Sequence, residues 1–314
     1  MVASLVDHRF PVMGTDARLV AAAPHRSARA GVEMLLRVQR AWLENVDRRL
    51  TRFRPESDLQ RLNADPRARV PAGPLLRRAV AAACWAAART GGLVDPTLEA
   101  EVAATGYRSP WRHAAAMPLA DALASAPERR AARPADGARW RAVRVGDGWI
   151  ERPSGVRLDL GGSAKGLAAD LVAARLEGLP AYAVDCGGDL RVGGRDPAGP
   201  FTVAVEHPLT GAVCATVAVR SGAIATSGLA RRVWRDPGGG AAHHMLDPAT
   251  GRPAWTGLVS ATALAPTAVE AEALAKAALL AGPQGAGAWL ACHGGLVIGD
   301  DGRLELHGPI EVDA

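Results

Sequence analysis

Aromatic side chains are scarce. Phe, Trp and Tyr make up 4% of the 314 residues, too few for the stacked platforms that grip single-stranded nucleic acid. There is no run of about five like charges of the kind that marks a nucleic-acid tail, and 37 basic against 32 acidic residues leave a net charge of only +5. Cysteine is sparse too. Cys84, Cys186, Cys214 and Cys292 stand far apart with no C-x-x-C pair, which excludes a disulfide framework or zinc site and predicts four reduced, mostly buried thiols. No stretch reaches the ~18 consecutive apolar residues that span a bilayer. The opening MVASLVDHRFPVMGT has neither a basic nor an apolar targeting region, so a soluble, cytoplasmic protein is expected. What remains is globular: 48% hydrophobic and 22% charged residues suit one large domain or two closely joined ones.

Patterning divides the chain. The alternation of Ala17, Leu19 and Ala21 against Arg18 and Val20 predicts a strand over Arg9–Ala22. Ser27 is placed to cap a long helix whose stripe of Val32, Leu35, Leu36, Val38, Leu43 and Val46 runs to Leu50. A second helix is expected over Pro74–Thr90, stopped by Gly91-Gly92, and a third from Asp95-Pro96-Thr97. Residues 108–139 are rich in Ala, Arg and Pro and read as a surface excursion. Beyond them short strands are predicted at Ala142–Val145, Gly148–Ile150, Val156–Leu160, Ala181–Val184, Phe201–Val205, Ala215–Val219 and Val259–Leu264, with helices at Ser163–Leu176 and Thr267–Ala281, the latter ended by Gly282-Pro283. Helices early and strands late argue for an α+β fold with mixed or antiparallel sheets.

Four glycine-punctuated islands interrupt this pattern. In Leu158-Asp159-Leu160-Gly161-Gly162-Ser163-Ala164-Lys165-Gly166 a strand leads into a helix, whose free N–H groups and Lys165 suit an anion. A tight turn with a solvated lysine reads equally well. Asp185-Cys186-Gly187-Gly188-Asp189 is a turn with two acids, more simply a capped hairpin. The hydroxyls of Ala225-Thr226-Ser227-Gly228 suit phosphate oxygens or local turn bonds. In His243-His244-Met245-Leu246-Asp247-Pro248-Ala249-Thr250-Gly251, neighbouring histidines on a strand face opposite ways, so one can reach a site while the other cannot.

Read in order, these islands resemble the ApbE family of FAD:protein FMN transferases. The resemblance is carried by FPVMGT (Phe10–Thr15), LTRFRPESDLQRLN (Leu50–Asn63), GLVDPT (Gly92–Thr97) with Gly106-Tyr107, LDLGGSAKGLAAD (Leu158–Asp170), DCGGDL (Asp185–Leu190), ATSG (Ala225–Gly228), HMLDPATG (His244–Gly251) and AVEAEALAKAALLAG (Ala268–Gly282). It implies a single T-fold-like α+β domain over 1–314, with lobes from 1–107 and 156–282 around a flavin cleft. It implies FAD as substrate, Mg²⁺ on its diphosphate, and attack on the FMN phosphorus by a Ser or Thr hydroxyl of a partner flavoprotein, with AMP leaving. By motif position Met13, Phe53, Leu93, Val94, Asp95, Asp159, Lys165 and Leu246 contact FAD. Lys165 sits on the phosphates, His244 acts as phosphate contact or proton relay, and Thr226 and Ser227 line the same end. The acceptor segment implied is Asp-x-x-(Ser/Thr)-Gly-Ala-(Ser/Thr). Ala218 stands where Ser221-Gly222-Ala223 would need its acid, which argues against self-modification.

The metal site departs from the family pattern. Its backbone-carbonyl ligand falls on Gly162, but Glu272 stands where Asp is usual and Lys276 where Thr is usual. Glutamate can hold Mg²⁺; a protonated lysine cannot. At i and i+4 the two can simply pair on a solvated face. Otherwise the ammonium of Lys276 takes the metal's place, or the ion is lost and the protein carries FAD without transferring it. An FAD pyrophosphatase, with water replacing the acceptor hydroxyl, is a further alternative.

Overall fold

Strands from the first and last parts of the chain share one sheet. The computed structural model describes residues 4–111, 116–195 and 199–313. Its main sheet has eight strands: β1 (Ser4–Val12), β2 (Thr15–Ala23), β3 (Tyr182–Cys186), β4 (Asp189–Gly193), β5 (Gly222–Gly228), β6 (Leu258–Ala265), β7 (Gly295–Gly299) and β8 (Leu304–His307). Their spatial order is their chain order, and every neighbouring pair is antiparallel. The helices α1 (Arg29–Leu50), α2 (Asp58–Ala64), α3 (Pro74–Arg89), α4 (Glu99–Ala104), α5 (Leu119–Ala124) and α6 (Ala164–Leu176) all fall between β2 and β3, and α7 (Ala268–Leu290) between β6 and β7. Early helices and late strands thus arise from one large insertion into a meander.

Helix α7 is buried on nearly every side, the pattern of a helix sealed within a core. It lies across β5, β6 and β7 and against α6. Its alanines allow the close approach, and Gly166 of α6 permits it: a Cβ there would stand 2.6 Å from the Ala268 carbonyl oxygen. The two helices also cap each other. Asp170 on α6 accepts hydrogen bonds from the backbone N–H groups of Ala268 (2.8 Å) and Val269 (3.0 Å). In return Glu272 on α7 accepts one from the N–H of Gly166 at 2.9 Å. Each helix N-terminus leaves free donors with partial positive charge, and a carboxylate from the neighbour answers both needs.

Several expectations are corrected. Arg9–Ala22 is no single strand but the β1–β2 hairpin, reversed at Met13 (φ 55°) and Gly14 (φ 67°), the two positive φ values of a type I′ turn. The long helix follows a short 3₁₀ turn at Arg26–Ala28, Ser27 does not cap it, and Val38 stands exposed, off the buried stripe. Val156–Leu160 joins no sheet. The Asn63 side chain serves Leu158 as a neighbouring strand would, donating to its carbonyl at 2.9 Å and accepting from its N–H at 2.8 Å. The strand predicted at Ala142–Val145 starts later than expected: Ala142 closes a 3₁₀ turn, Arg139–Ala142, and the strand is Arg144–Gly146. Ala225–Gly228 lies within β5 rather than in a turn. The helix from Ala268 does break at Gly282 as expected (φ 72°, ψ −179°), and a second helical stretch beginning at Pro283 continues α7 to Leu290. All four cysteines are free, but only Cys186 is buried and Cys292 is exposed. Residues 108–139, where described, run over the surface, anchored by Leu119, Ala122 and Ala132 and by hydrogen bonds to the Trp255 and Leu280 carbonyls.

Candidate active site

A cavity of about 370 Å³ opens between the β1–β2 turn, the C-terminal end of α1 and the N-terminal end of α6, within the size range of small-molecule sites. Met13, Phe53, Leu93, Val94, Asp95 and Asp159 line it, as do Gly162, Lys165, His244, Leu246 and Lys276. Glu272 lies behind the wall, fully buried. Thr226 and Ser227 are not on the wall: the Thr226 hydroxyl pairs with that of Thr262 at 2.8 Å in the neighbouring strand, and Ser227 is buried.

Local chemistry places each wall segment. At the end of α3, the Thr90 hydroxyl donates to the Ala86 carbonyl and accepts from the N–H of Val94. Gly92, at φ 95°, turns the chain so that Leu93–Asp95 face inward; a Cβ there would lie 3.0 Å from the Trp140 indole nitrogen. Asp95 is tied by the N–H and hydroxyl of Thr97. Asp159 accepts from the N–H of Gly161 at 2.7 Å and pairs with Arg52 at 3.2 Å. The Arg52 guanidinium lies over the rings of Phe53 (4.3 Å) and Tyr107 (4.5 Å). Tyr107 in turn leans on Trp111 and Trp234. Trp111 lines the cavity, whereas Trp140 backs Gly92 and Trp255 packs edge-on to His243.

The opposite wall is charged. The Lys165 ammonium bonds Asp189 and lies 3.4 Å from Glu272 Oε1, which also accepts from Lys276 at 2.7 Å. Burial opposes ionisation of Glu272, yet the two ammonium groups and the Gly166 N–H outweigh it and bring its pKa down to about 2. Asp189 goes the other way. Burial and then the Glu272 carboxylate push it up to about 7 against the pull of Lys165. Burial alone would make Lys165 easier to deprotonate, but Asp189 and Glu272 reverse that and hold it charged. His244 is pushed well below the usual imidazole range by burial, then by Arg232 and the nearby lysines. It is a neutral imidazole on the cavity wall, and its Nδ1 is buried with no partner among the described residues.

The expected Mg²⁺ ligands do not form a metal site here. Both oxygens of Glu272 are spent, one on two lysines and the other on a backbone N–H. Among the described residues no group of three or more His, Cys, Asp or Glu is disposed to hold an ion. A divalent cation wants several oxygens, and this wall offers it ammonium groups first.

Among the wall residues that the sequence does not single out are Arg52 and Arg232, whereas Trp111 is, by sequence, an open candidate for ring stacking. Arg52 adjoins the predicted Phe53, but nothing in its spacing distinguishes it from the other arginines. Asp189 sat in a flagged island and emerges as the partner of Lys165.

Fold and site together define an α+β protein with a cationic, imidazole-bearing cavity suited to a phosphoanhydride. The ApbE family model matches residues 13–297, and the chain belongs to that family. It is 31% identical over 265 residues to the FAD:protein FMN transferase of Klebsiella pneumoniae, covering 81% of this chain and 73% of the relative. Against the FAD:protein FMN transferase of Escherichia coli K12 it is 38% identical over 132 residues, 40% of this chain and 37% of the relative, so that match spans little more than a third of the relative. The crystal structure of the ApbE protein of Thermotoga maritima superposes with a TM-score of 0.75 at 25% identity, covering 97% of each chain.

Proposed function

We propose that this protein transfers FMN from FAD to a Ser or Thr hydroxyl of a partner flavoprotein. The observation that carries the reading is the cavity wall of an ApbE-family chain: Lys165 and Lys276 presented beside the neutral His244. The acceptor oxygen forms a bond to the FMN phosphorus, the bond from that phosphorus to the bridging oxygen breaks, and AMP departs. The hydroxyl proton passes to the neutral imidazole of His244, and the lysines stabilise charge that accumulates on the phosphate oxygens in the transition state. The aromatic group around Arg52 and the aliphatic Leu93 and Val94 offer planar and apolar contacts for the ring systems of the dinucleotide. The acceptor segment, Asp-x-x-(Ser/Thr)-Gly-Ala-(Ser/Thr), and a cytoplasmic setting belong to the proposal. Both rest on the family resemblance and, for the setting, on four free thiols.

The test is incubation of the full chain with FAD and a flavoprotein domain bearing that segment. Covalent flavin fluorescence on the acceptor together with AMP is expected. AMP and free FMN without labelling would indicate a pyrophosphatase, and bound FAD with neither product a carrier; either sinks the transferase reading.

A further inference from the structure

We propose that Lys276 is the built-in counter-cation for the dinucleotide diphosphate, so that FAD binds without a divalent ion. The inference rests on the FAD reading above. Of the 37 basic residues only two are lysines, Lys165 and Lys276, and both reach the same oxygen of Glu272, at 3.4 Å and 2.7 Å. Everywhere else this chain places arginine. A guanidinium is a flat fork, whereas an ammonium is a compact point charge with three donors, closer in shape to a metal ion.

The layering of charge gives the direction. Glu272 is 0% exposed and off the cavity surface; the Lys276 side chain keeps 11% exposure and lines the cavity. The anion is behind and the cation in front, a polarity that receives an anion. One Lys276 proton is held by Glu272, and the remaining two are available to phosphate oxygens. Glu272 is itself anchored by the Gly166 N–H, so the ammonium is held in place before any ligand arrives. Arg232 on the same wall adds a further positive charge near Lys165 and His244.

The experiment is FAD binding to the full chain, followed by flavin fluorescence, in excess chelator and in excess Mg²⁺. Equal affinity in the two conditions is expected, with inorganic pyrophosphate competing in chelator. Lys276→Gln, checked for folding by its thermal melt, should bind FAD roughly tenfold or more weakly in chelator, the loss of one hydrogen bond to a charged group. Binding by the wild-type chain only when Mg²⁺ is present overturns the inference and leaves the FAD reading standing. Undiminished binding by folded Lys276→Gln in chelator overturns it as well. Failure of the wild-type chain to bind FAD in either condition removes the FAD reading itself.

Discussion

The two ends of the cavity are built on different physics. At the α6–α7 junction, four charged side chains are locked by hydrogen bonds to one another and to a helix N-terminus, with Glu272 fully buried. At the other end Arg52, Phe53, Tyr107, Trp111 and Trp234 hold together by ring contacts of 4.3 to 6.3 Å, and the Trp111 indole nitrogen has no partner among the described residues. The first end suits a group of fixed charge and shape, the second planar groups with looser demands. Ring contacts tolerate shifts in position; short charge-assisted hydrogen bonds do not.

Breaking the charged end should cost most. Glu272→Ala leaves Lys276 buried without its anion and removes the α6 cap, so about 3–5 kcal/mol of stability should be lost in denaturant titrations. Gly166→Ala attacks the same junction through volume alone: its Cβ would meet the Ala268 backbone at 2.6 Å, and overpacking of this kind costs about 1–3 kcal/mol.

Next to that end, His243 is fully buried and burial lowers its pKa from 6.5 to about 3. The unfolded chain therefore takes up a proton that the folded chain refuses. Stability present above pH 6.5 is lost as pH falls toward 3, at about 1.4 kcal/mol per pH unit from this residue. His243→Phe should flatten the slope of unfolding free energy against pH by one proton across that window; an unchanged slope would disprove the assignment.

The aromatic end should respond more mildly. Arg52→Met keeps the apolar stem but removes the charge from between two rings, at a cost of about 1–2 kcal/mol. FAD affinity should weaken while its indifference to chelator persists, measured by fluorescence titration. Smallest of all, Met13→Asn on the cavity wall exchanges a residue strained at φ 55° for one that tolerates it, and should raise the unfolding free energy in denaturant titrations by about 0.5 kcal/mol.

Much of the frame was readable locally. α1, α3 and α6 announce themselves by apolar stripe, Pro at the start or Gly at the stop, and the β3–β4 hairpin by Asp-Cys-Gly-Gly-Asp. The β1–β2 hairpin was missed because its turn is Met-Gly rather than Asn-Gly, so its period-2 signal ran on as one strand. Val156–Leu160 looked like a strand because it is extended and apolar, yet its hydrogen-bond partner is a side chain 95 residues away. Thr226 and Ser227 have site-like chemistry, but β-sheet register directs them to a neighbouring strand and the interior.

The amino-acid order by itself determined that Glu272 and Lys276 share a helical face and that a lysine follows the Gly-Gly turn, because both facts depend only on near neighbours along the chain. Which charge faces outward was decided by the tertiary structure. Only the crossing of α6 over α7 at Gly166 sinks the glutamate and leaves the ammonium on the wall. A carboxylate held from behind by a helix N-terminus turns its cationic partners toward the opening, and no local pattern encodes that depth.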